Sequence, residues 1–360
     1  MRMTTLHRLA ELGQSPWLDF ISRRAIHNGE MQALRDQGIL GVTSNPAIFE
    51  AAIAGSSDYD EAIKDLAGKG LDAYGIYDQL SIEDVAAAAD LFRPVFEKTH
   101  GIDGYVSLEV SPFLADNTEE SISEGRRLWK ALNRPNVMIK VPATEAGIPV
   151  IEALIAAGIN VNVTLLFSLE RYEAAAKAYL AGLKARAARG HSLKVASVAS
   201  FFVSRLDALL DPKLAQEDQG KAAIALSHCA YGIWQRLFSG VEWQALAAQG
   251  ARSQRLLWAS TSTKNPNYSP TLYVDALIGP DTVNTMPLVT IKALLEAESV
   301  SSPLPAAVSS GRAVKAELEG KGVDFAESAK TLEIEAVDKF VQPFQKLLDS
   351  VEAKRAAVAG

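Results

Sequence analysis

The sequence predicts one closed (β/α)8 barrel with extra helices and a C-terminal helical extension. Short runs of alternating apolar and polar residues occur in turn with helical patterns along the chain, which is typical of a parallel sheet. Eight such units in about 290 residues fit a closed barrel better than an open doubly wound sheet, because no glycine-rich phosphate fingerprint follows the first strand. The 360 residues are 48% hydrophobic and 22% charged, so the chain can bury a sizeable core.

Strand patterns occur at eight places in the order that a barrel requires. They cover residues 17–21, 41–45, 105–111, 137–142, 160–167, 195–202, 256–261 and 282–286. Between them, helical patterns cover residues 23–37, ending at Gly38, and residues 168–189, ending at Gly190. A third helix is predicted after Asn117, because Glu120 follows it at the spacing of a capping box.

Two long connections contain further helical patterns. Residues 46–104 include a pattern at residues 81–98, and residues 204–250 include one at residues 222–238. Both connections are longer than the loop and single helix that one β/α unit needs. We therefore predict that they are helical insertions outside the barrel wall.

A Ser/Pro-rich connector at residues 298–310 is predicted to end the barrel. The expected organisation is a barrel with helical insertions at residues 1–297, followed by a linker and C-terminal helices at residues 298–360 that pack on the barrel. The tail is predicted to be an amphipathic helix, kinked near Pro343, whose apolar face consists of Ile334, Val337, Val341, Phe344, Leu348 and Val351.

Composition argues against several classes of partner and location. The 36 basic and 43 acidic residues give a net charge of -7 without a basic block, so nucleic acid is not an expected partner. The longest uncharged window, residues 153–169, contains several polar residues and predicts no membrane span. The single cysteine, Cys229, and the lack of an apolar secretory signal at the start favour the cytoplasm. A homo-oligomer is compatible with the sequence, which does not specify one.

Lys140 interrupts an otherwise apolar predicted strand. Burial disfavours the ammonium form of a lysine, and a neutral amine can form a Schiff base with a carbonyl substrate. Asp19 and Glu109 occupy predicted inward positions of two other strands, where carboxylates can move protons around a Schiff base. The alternative is that Lys140 forms a buried structural ion pair with Glu109 or Asp19.

Two basic residues are candidates for binding a phosphate group. Arg205 follows the inward-pointing Phe202 of the sixth strand, and Lys264 follows the seventh strand. That end of a barrel often holds a phosphate, although for either residue taken alone a solvated loop charge is the favoured interpretation. The five histidines show no metal-ligand spacing, and no Walker loop or Gly-x-Ser-x-Gly elbow occurs, so no metal site is predicted.

Five segments together resemble the transaldolases, sugar-phosphate transferases of the pentose phosphate pathway. The segments are GVTSNPAIF at residues 41–49, VMIKVPAT at 137–144, NVNVTLLFS at 160–168, SVASFFVSR at 197–205 and WASTSTKNP at 258–266. The resemblance covers the whole predicted barrel, and the tail is similar to that of the longer bacterial subgroup. It implies the class I aldolase barrel, in agreement with the count of eight strands.

The resemblance implies a role for each inward polar residue of the first strands. Lys140 matches the Schiff-base lysine of the family, and Asp19 matches its acid/base aspartate. Glu109 and Thr164 match the pair that holds a catalytic water. The implied reaction needs neither a metal nor an organic cofactor.

The resemblance also implies how the substrate is held. Asn45 and Asn162 match asparagines that bind the hydroxyls of the dihydroxyacetone unit, Ser200 matches a serine beside the lysine, and Arg205 matches a phosphate-binding arginine. Many transaldolases place a second arginine two residues after the serine that corresponds to Ser260. Here that position is Ser262, and Lys264 is the candidate to replace the arginine.

The implied reaction is ping-pong transfer of a dihydroxyacetone unit from sedoheptulose 7-phosphate or fructose 6-phosphate to glyceraldehyde 3-phosphate or erythrose 4-phosphate. Three alternative functions are also compatible with parts of the sequence. A fructose 6-phosphate aldolase shares the lysine and the scaffold, but such sibling aldolases carry tyrosine where this chain has Phe202. A sugar-phosphate binding protein without activity shares the motifs. A glycosidase would use Asp19 and Glu109 as its carboxylate pair but would leave Lys140 unexplained.

Overall fold

Eight parallel strands form a closed barrel in the computed structural model, which describes residues 3–359. Each strand pairs with its neighbours in chain order, and the first strand pairs with the last. The predicted (β/α)8 barrel is therefore confirmed. The strands are Gln14–Asp19 (β1), Val42–Thr43 (β2), Val106–Glu109 (β3), Val137–Pro142 (β4), Val161–Leu166 (β5), Ser197–Phe202 (β6), Arg255–Ala259 (β7) and Thr282–Met286 (β8).

Sixteen α-helices surround the barrel within the described residues. They are Thr5–Glu11 (α1), Arg23–His27 (α2), Glu30–Asp36 (α3), Pro46–Ala54 (α4), Asp60–Gly68 (α5), Ala73–Lys98 (α6), Thr118–Leu132 (α7), Gly147–Ala157 (α8), Leu169–Ala188 (α9), Ser204–Leu210 (α10), Ala222–Leu237 (α11), Val241–Ala247 (α12), Leu272–Ala276 (α13), Leu288–Glu296 (α14), Leu304–Gly320 (α15) and Phe325–Ala359 (α16). No helix among them is long and apolar enough to cross a membrane.

Backbone conformation explains two differences between the predicted and observed strands. The seventh strand ends at Ala259 rather than at residue 261, because Ser260 has a left-handed φ of 56°. In the fifth strand Leu165 has a φ of 61°, and the pairing of β5 with β6 shifts register between Val163 and Leu166. The inward–outward alternation that the sequence suggests therefore holds only as far as Thr164.

The single helix predicted at residues 23–37 is two helices. Gly29 has a φ of 87°, a conformation that side-chain-bearing residues rarely adopt, and it separates α2 from α3. Asn28 stabilises the break by accepting a hydrogen bond from the Glu30 amide at 2.9 Å. Asn and Gly in sequence are a turn signal, and here this signal overrides the apolar periodicity.

The caps of the other predicted helices agree with the structure, but the placement of one insertion does not. Asn117 accepts a hydrogen bond from the Glu120 amide at the start of α7, and Ser168 accepts one from the Arg171 amide at the start of α9. The first long connection was expected to lie outside the barrel wall. Its last helix, α6, instead packs directly on β3 and belongs to the ring of helices around the barrel.

The tail helix crosses the end of the barrel at which the strands terminate. α16 packs on α4, which follows β2, on α10, which follows β6, and on the short 3-10 helix Pro112–Leu114, which follows β3. It runs through Pro343 as one helical segment. Its buried apolar side chains are Phe325, Ala329, Leu332, Ala336, Phe340, Phe344, Leu347 and Val351. Of the predicted face, Phe344 and Val351 are therefore buried, whereas Ile334 is 60% exposed. The division of the chain near residue 298 stays a prediction.

Candidate active site

A cavity of about 220 Å³ opens at the carboxyl ends of the barrel strands, below α16. In (β/α)8 barrels this is the end at which active sites are built. Polar side chains from seven of the eight strands, or from the segments that follow them, converge on it. Its lining consists of Asp19, Thr43, Asn45, Lys140, Thr164, Ser200, Phe202, Arg205, Ala259, Ser260, Ser262, Lys264, Thr285, Pro287 and Phe340.

Lys140 lies at the base of this cavity and is 5% exposed. Its Nζ is 3.2 Å from Glu109 Oε2 and donates a hydrogen bond to the Ser44 carbonyl at 3.1 Å. Strand register explains the ion pair, because Glu109 and Lys140 are paired residues of the adjacent strands β3 and β4. Of the two carboxylates that the sequence offers to Lys140, Glu109 is therefore the one in direct contact.

Asp19 ends β1 and lines the same cavity. Its Oδ1 accepts a hydrogen bond from Thr43 Oγ1 at 2.7 Å, and Thr43 in turn lies 2.6 Å from the hydroxyl of Thr285. Burial raises the pKa of Asp19, and the Thr43 hydrogen bond and the charge of Lys140 oppose this rise. Thr43 and Thr285 were missed in the sequence, although each is a polar residue in a predicted strand, which is the signal that could have found them.

The Glu109 carboxylate and the Thr164 hydroxyl both contain an oxygen that is buried and has no hydrogen-bond partner among the described residues. For Glu109 this is Oε2, whose nearest polar neighbour is the Lys140 ammonium of the ion pair. Burial raises the pKa of Glu109, Lys140 lowers it, and the charge of Asp19 raises it further. Buried polar atoms are usually satisfied, so the Thr164 hydroxyl is available to a small polar ligand, whereas Glu109 Oε2 is already compensated by Lys140.

Asn162 and Asn45 are both committed to hydrogen bonds within the protein. Asn162 Oδ1 accepts from Ser200 Oγ at 2.7 Å, and its Nδ2 donates to Ser107 Oγ at 3.0 Å. Asn45 begins α4 by accepting a hydrogen bond from the Ile48 amide at 3.0 Å. Its side-chain oxygen is thereby occupied, and the amide Nδ2 is the group that can donate to a ligand in the cavity.

The wall formed by the ends of β6 and β7 is cationic and aromatic. The Arg205 guanidinium lies 5.2 Å from the centre of the Phe202 ring, and its buried Nη1 has no hydrogen-bond partner among residues 3–359. Burial lowers the pKa of Arg205, and the nearby Glu335 opposes this. A half-buried guanidinium with a buried, unsatisfied donor favours an anionic ligand. Lys264 lines the same wall and donates to Ser262 Oγ at 3.2 Å.

The structure brings the predicted site residues together. Nine of the eleven line the cavity, and the other two, Glu109 and Asn162, contact residues that do. Besides Thr43 and Thr285, the lining contains Phe340, which the sequence did not predict as a site residue. It is one of the buried residues of α16, and the predicted apolar face of the tail did not include it. An aromatic residue one helical turn before Phe344 is the signal that could have found it.

Comparison with known proteins gives one consistent result. Residues 16–351 match the family model described as "Transaldolase/Fructose-6-phosphate aldolase". The chain is 46% identical over 374 residues to "Transaldolase 2" of Nostoc sp., with 98% of each chain covered. It is 44% identical to "Transaldolase" of Parafrankia sp., covering 98% of this chain and 99% of that protein, and 44% identical to "Transaldolase" of Neisseria gonorrhoeae, covering 96% and 99%.

Proposed function

The chain belongs to the transaldolase/fructose-6-phosphate aldolase family, and on that premise we propose that it is a transaldolase that carries dihydroxyacetone as a Schiff base on Lys140. The donor is sedoheptulose 7-phosphate or fructose 6-phosphate, and the acceptor is glyceraldehyde 3-phosphate or erythrose 4-phosphate. The observation that carries the proposal is a buried lysine in contact with one carboxylate, Glu109, in a cavity that a second carboxylate, Asp19, also lines.

The first half of the proposed reaction cleaves the donor. The Lys140 ammonium gives up one proton, and the resulting amine adds to the C2 carbonyl of the ketose phosphate. The C2 hydroxyl takes up that proton and leaves as one water, which gives an iminium. Asp19 then accepts the proton of the C4 hydroxyl while the C3–C4 bond breaks, and the electron pair of that bond moves into the iminium. An aldose phosphate leaves, and the dihydroxyacetone unit stays on Lys140 as an enamine.

The second half joins the retained unit to the acceptor. The enamine carbon attacks the aldehyde carbon of the acceptor, Asp19 returns its proton to the new hydroxyl, and water hydrolyses the iminium to release the product ketose. The Thr164 hydroxyl, which has no hydrogen-bond partner among the described residues, and the nearby Glu109 carboxylate support a role for this pair in holding that water. Asn45, with Asn162 through Ser200, would hold the hydroxyls of the dihydroxyacetone unit.

Borohydride trapping tests the proposed function directly. The protein is incubated with fructose 6-phosphate, reduced with borohydride, digested and analysed by mass spectrometry. A dihydroxyacetone-sized adduct on the peptide that contains Lys140 is the expected result. Absence of an adduct would favour the sugar-phosphate binding alternative, and an adduct on another lysine would show that the wrong nucleophile has been proposed.

We predict that Arg205→Ala raises the KM for phosphorylated sugars by about 10- to 100-fold, because charge-assisted hydrogen bonds to a phosphate are each worth about 1.5–3 kcal/mol. The KM for free dihydroxyacetone as donor should change little. Steady-state kinetics with both donors checks this. Lys264→Ala should also raise the KM for phosphorylated sugars and not that for free dihydroxyacetone. The rise should be smaller than for Arg205→Ala, since the Lys264 amine is exposed. An equal effect of Arg205→Ala on both donors would mean that the arginine is structural.

We predict that Phe202→Tyr shifts the reaction from transfer towards aldol cleavage. A phenol at this position can orient water to protonate the enamine, which the phenyl ring cannot do. Release of free dihydroxyacetone from fructose 6-phosphate should rise while transfer to erythrose 4-phosphate falls, as measured in coupled assays. Because the ring also lies beside Arg205, the KM for phosphorylated donors serves as a control and should stay unchanged. A parallel loss of both activities would leave Phe202 with a packing role only.

A further inference from the structure

The tail helix inserts one aromatic side chain into the candidate active site. The centre of the Phe340 ring is 5.3 Å from Lys140 Nζ, and Phe340 is 6% exposed. The ring has no hydrogen-bonding group, so it covers the amine with its face and attracts the ammonium only through a cation–π contact. Lys140 therefore reaches the solvent only through the remaining opening of the cavity.

Packing on both sides holds this ring in place. One turn before Phe340, Ala336 is fully buried, and one turn after it, the Phe344 ring makes edge contacts with Tyr77 at 5.0 Å and with Phe113 at 5.2 Å. Side chains whose neighbours on the same helix face are packed have little freedom to move. The ring is thus a fixed part of the cavity wall.

Ion pairs attach α16 to the barrel helices on either side of the cavity. Glu333 pairs with Arg171 of α9 at 3.4 Å, and Lys354 pairs with Asp60 of α5 at 2.6 Å. Lys354 also donates to the Ser56 carbonyl at 2.7 Å. Phe340 lies between these two attachments, so α16 is held across the cavity as a strap.

We propose that Phe340 shields the Lys140 adduct from water and is thereby a determinant of transfer over hydrolysis. This inference rests on the proposed function, because it concerns the enamine formed in that reaction. Loss of the enamine requires a proton on its nucleophilic carbon, which gives an iminium, and one water, which releases dihydroxyacetone and restores the lysine ammonium. Transfer uses the same carbon to attack the acceptor aldehyde and needs no water until the product is complete. Hydrolysis of an iminium ends both routes, whereas delivery of a proton to the enamine carbon belongs to the side reaction alone. Keeping water away from the adduct before the acceptor reacts therefore slows the side reaction selectively.

The test is the ratio of dihydroxyacetone release to transfer in Phe340→Ala and Phe340→Leu. With fructose 6-phosphate as donor and erythrose 4-phosphate as acceptor, Phe340→Ala should raise the ratio by about tenfold, and Phe340→Leu by less because leucine retains part of the cover. Ile334→Ala is the matched control, since this residue of the same helix is 60% exposed and its removal should leave the ratio unchanged.

Two readouts separate this inference from its alternatives. A change in the charge state of Lys140 would alter the rates of dihydroxyacetone release and of transfer together. Entry of water after loss of the Phe340 ring instead alters the ratio of the two rates. If the ratio is unchanged in every variant that folds, as judged by circular dichroism, Phe340 only packs α16 and the inference is overturned. Phe340→Leu keeps the test decisive if the alanine variant does not fold. Borohydride trapping on Lys140 in the unmodified protein distinguishes this failure from failure of the proposed function, in which no adduct forms.

Discussion

Lys140→Arg is expected to abolish transfer and to prevent borohydride trapping. Arginine stays protonated near neutral pH and cannot form an imine, so the covalent route is closed. Enzymes that lose their covalent nucleophile lose about 10⁶-fold in kcat, and a loss of this order is expected in a coupled transfer assay. Arginine is preferred to a neutral residue because its charge can still compensate the buried Glu109 carboxylate, which would otherwise destabilise the fold.

A matched control separates this effect from a general loss of stability. Lys177→Arg, on α9, changes an exposed lysine that pairs with Glu173 at 2.7 Å, and it should leave both activity and thermal stability unchanged. Full-rate transfer by a well-folded Lys140→Arg protein would refute the Schiff-base mechanism. It would instead support the alternative that Lys140 is only a structural ion-pair partner of Glu109.

Asp19→Asn is expected to lower kcat by about 10²- to 10⁴-fold, the usual range for loss of a general acid/base. The KM should change less, because the amide preserves the shape of the carboxylate. The fold should tolerate the change, since burial already disfavours the charged form of Asp19 and an amide oxygen can still accept the Thr43 hydrogen bond. Transfer kinetics under saturating substrate checks the prediction.

The pH dependence of kcat provides a second test of Asp19. The carboxylate must be ionised to accept the C4 hydroxyl proton, so the rate should fall as the pH falls through its pKa. Because burial raises this pKa, the fall should occur at a higher pH than for an ordinary aspartate, and it should be lost in Asp19→Asn. Burial raises the pKa of Glu109 as well, so Glu109→Gln is the necessary comparison. If the fall of kcat at low pH persists in Asp19→Asn and disappears in Glu109→Gln, Glu109 and not Asp19 is the base.

Local patterns were sufficient to predict most of the barrel. The fourth and eighth strands have the predicted bounds, residues 137–142 and 282–286, because apolar strands between turn residues carry their signal in a few consecutive positions. The predicted bounds of helices and strands were wrong where a single residue changes the direction of the backbone. Gly29 divides a predicted helix, and the left-handed Ser260 ends β7 early. A periodicity summed over many residues does not detect such single-residue changes.

The candidate site was predictable as a set of residues but not as a set of contacts. Polar residues at inward strand positions identified Lys140, Asp19 and Glu109, since the period of two in a strand decides which side chains enter the barrel. The roles assigned to them stay predictions until they are tested by substitution.

The sequence by itself determined the alternation of strands and helices, the family and the residues that face the barrel interior, because each depends on short-range order along the chain or on motifs within it. Only the tertiary structure decided that Glu109 pairs with Lys140, that Phe202 lies beside Arg205 and that Phe340 of the tail covers the lysine. The physical reason is that strand register and the path of α16 across the barrel set the distances between side chains. The periodicity of a helix indicates that it has a buried face, but the surface on which it packs decides which residues form that face.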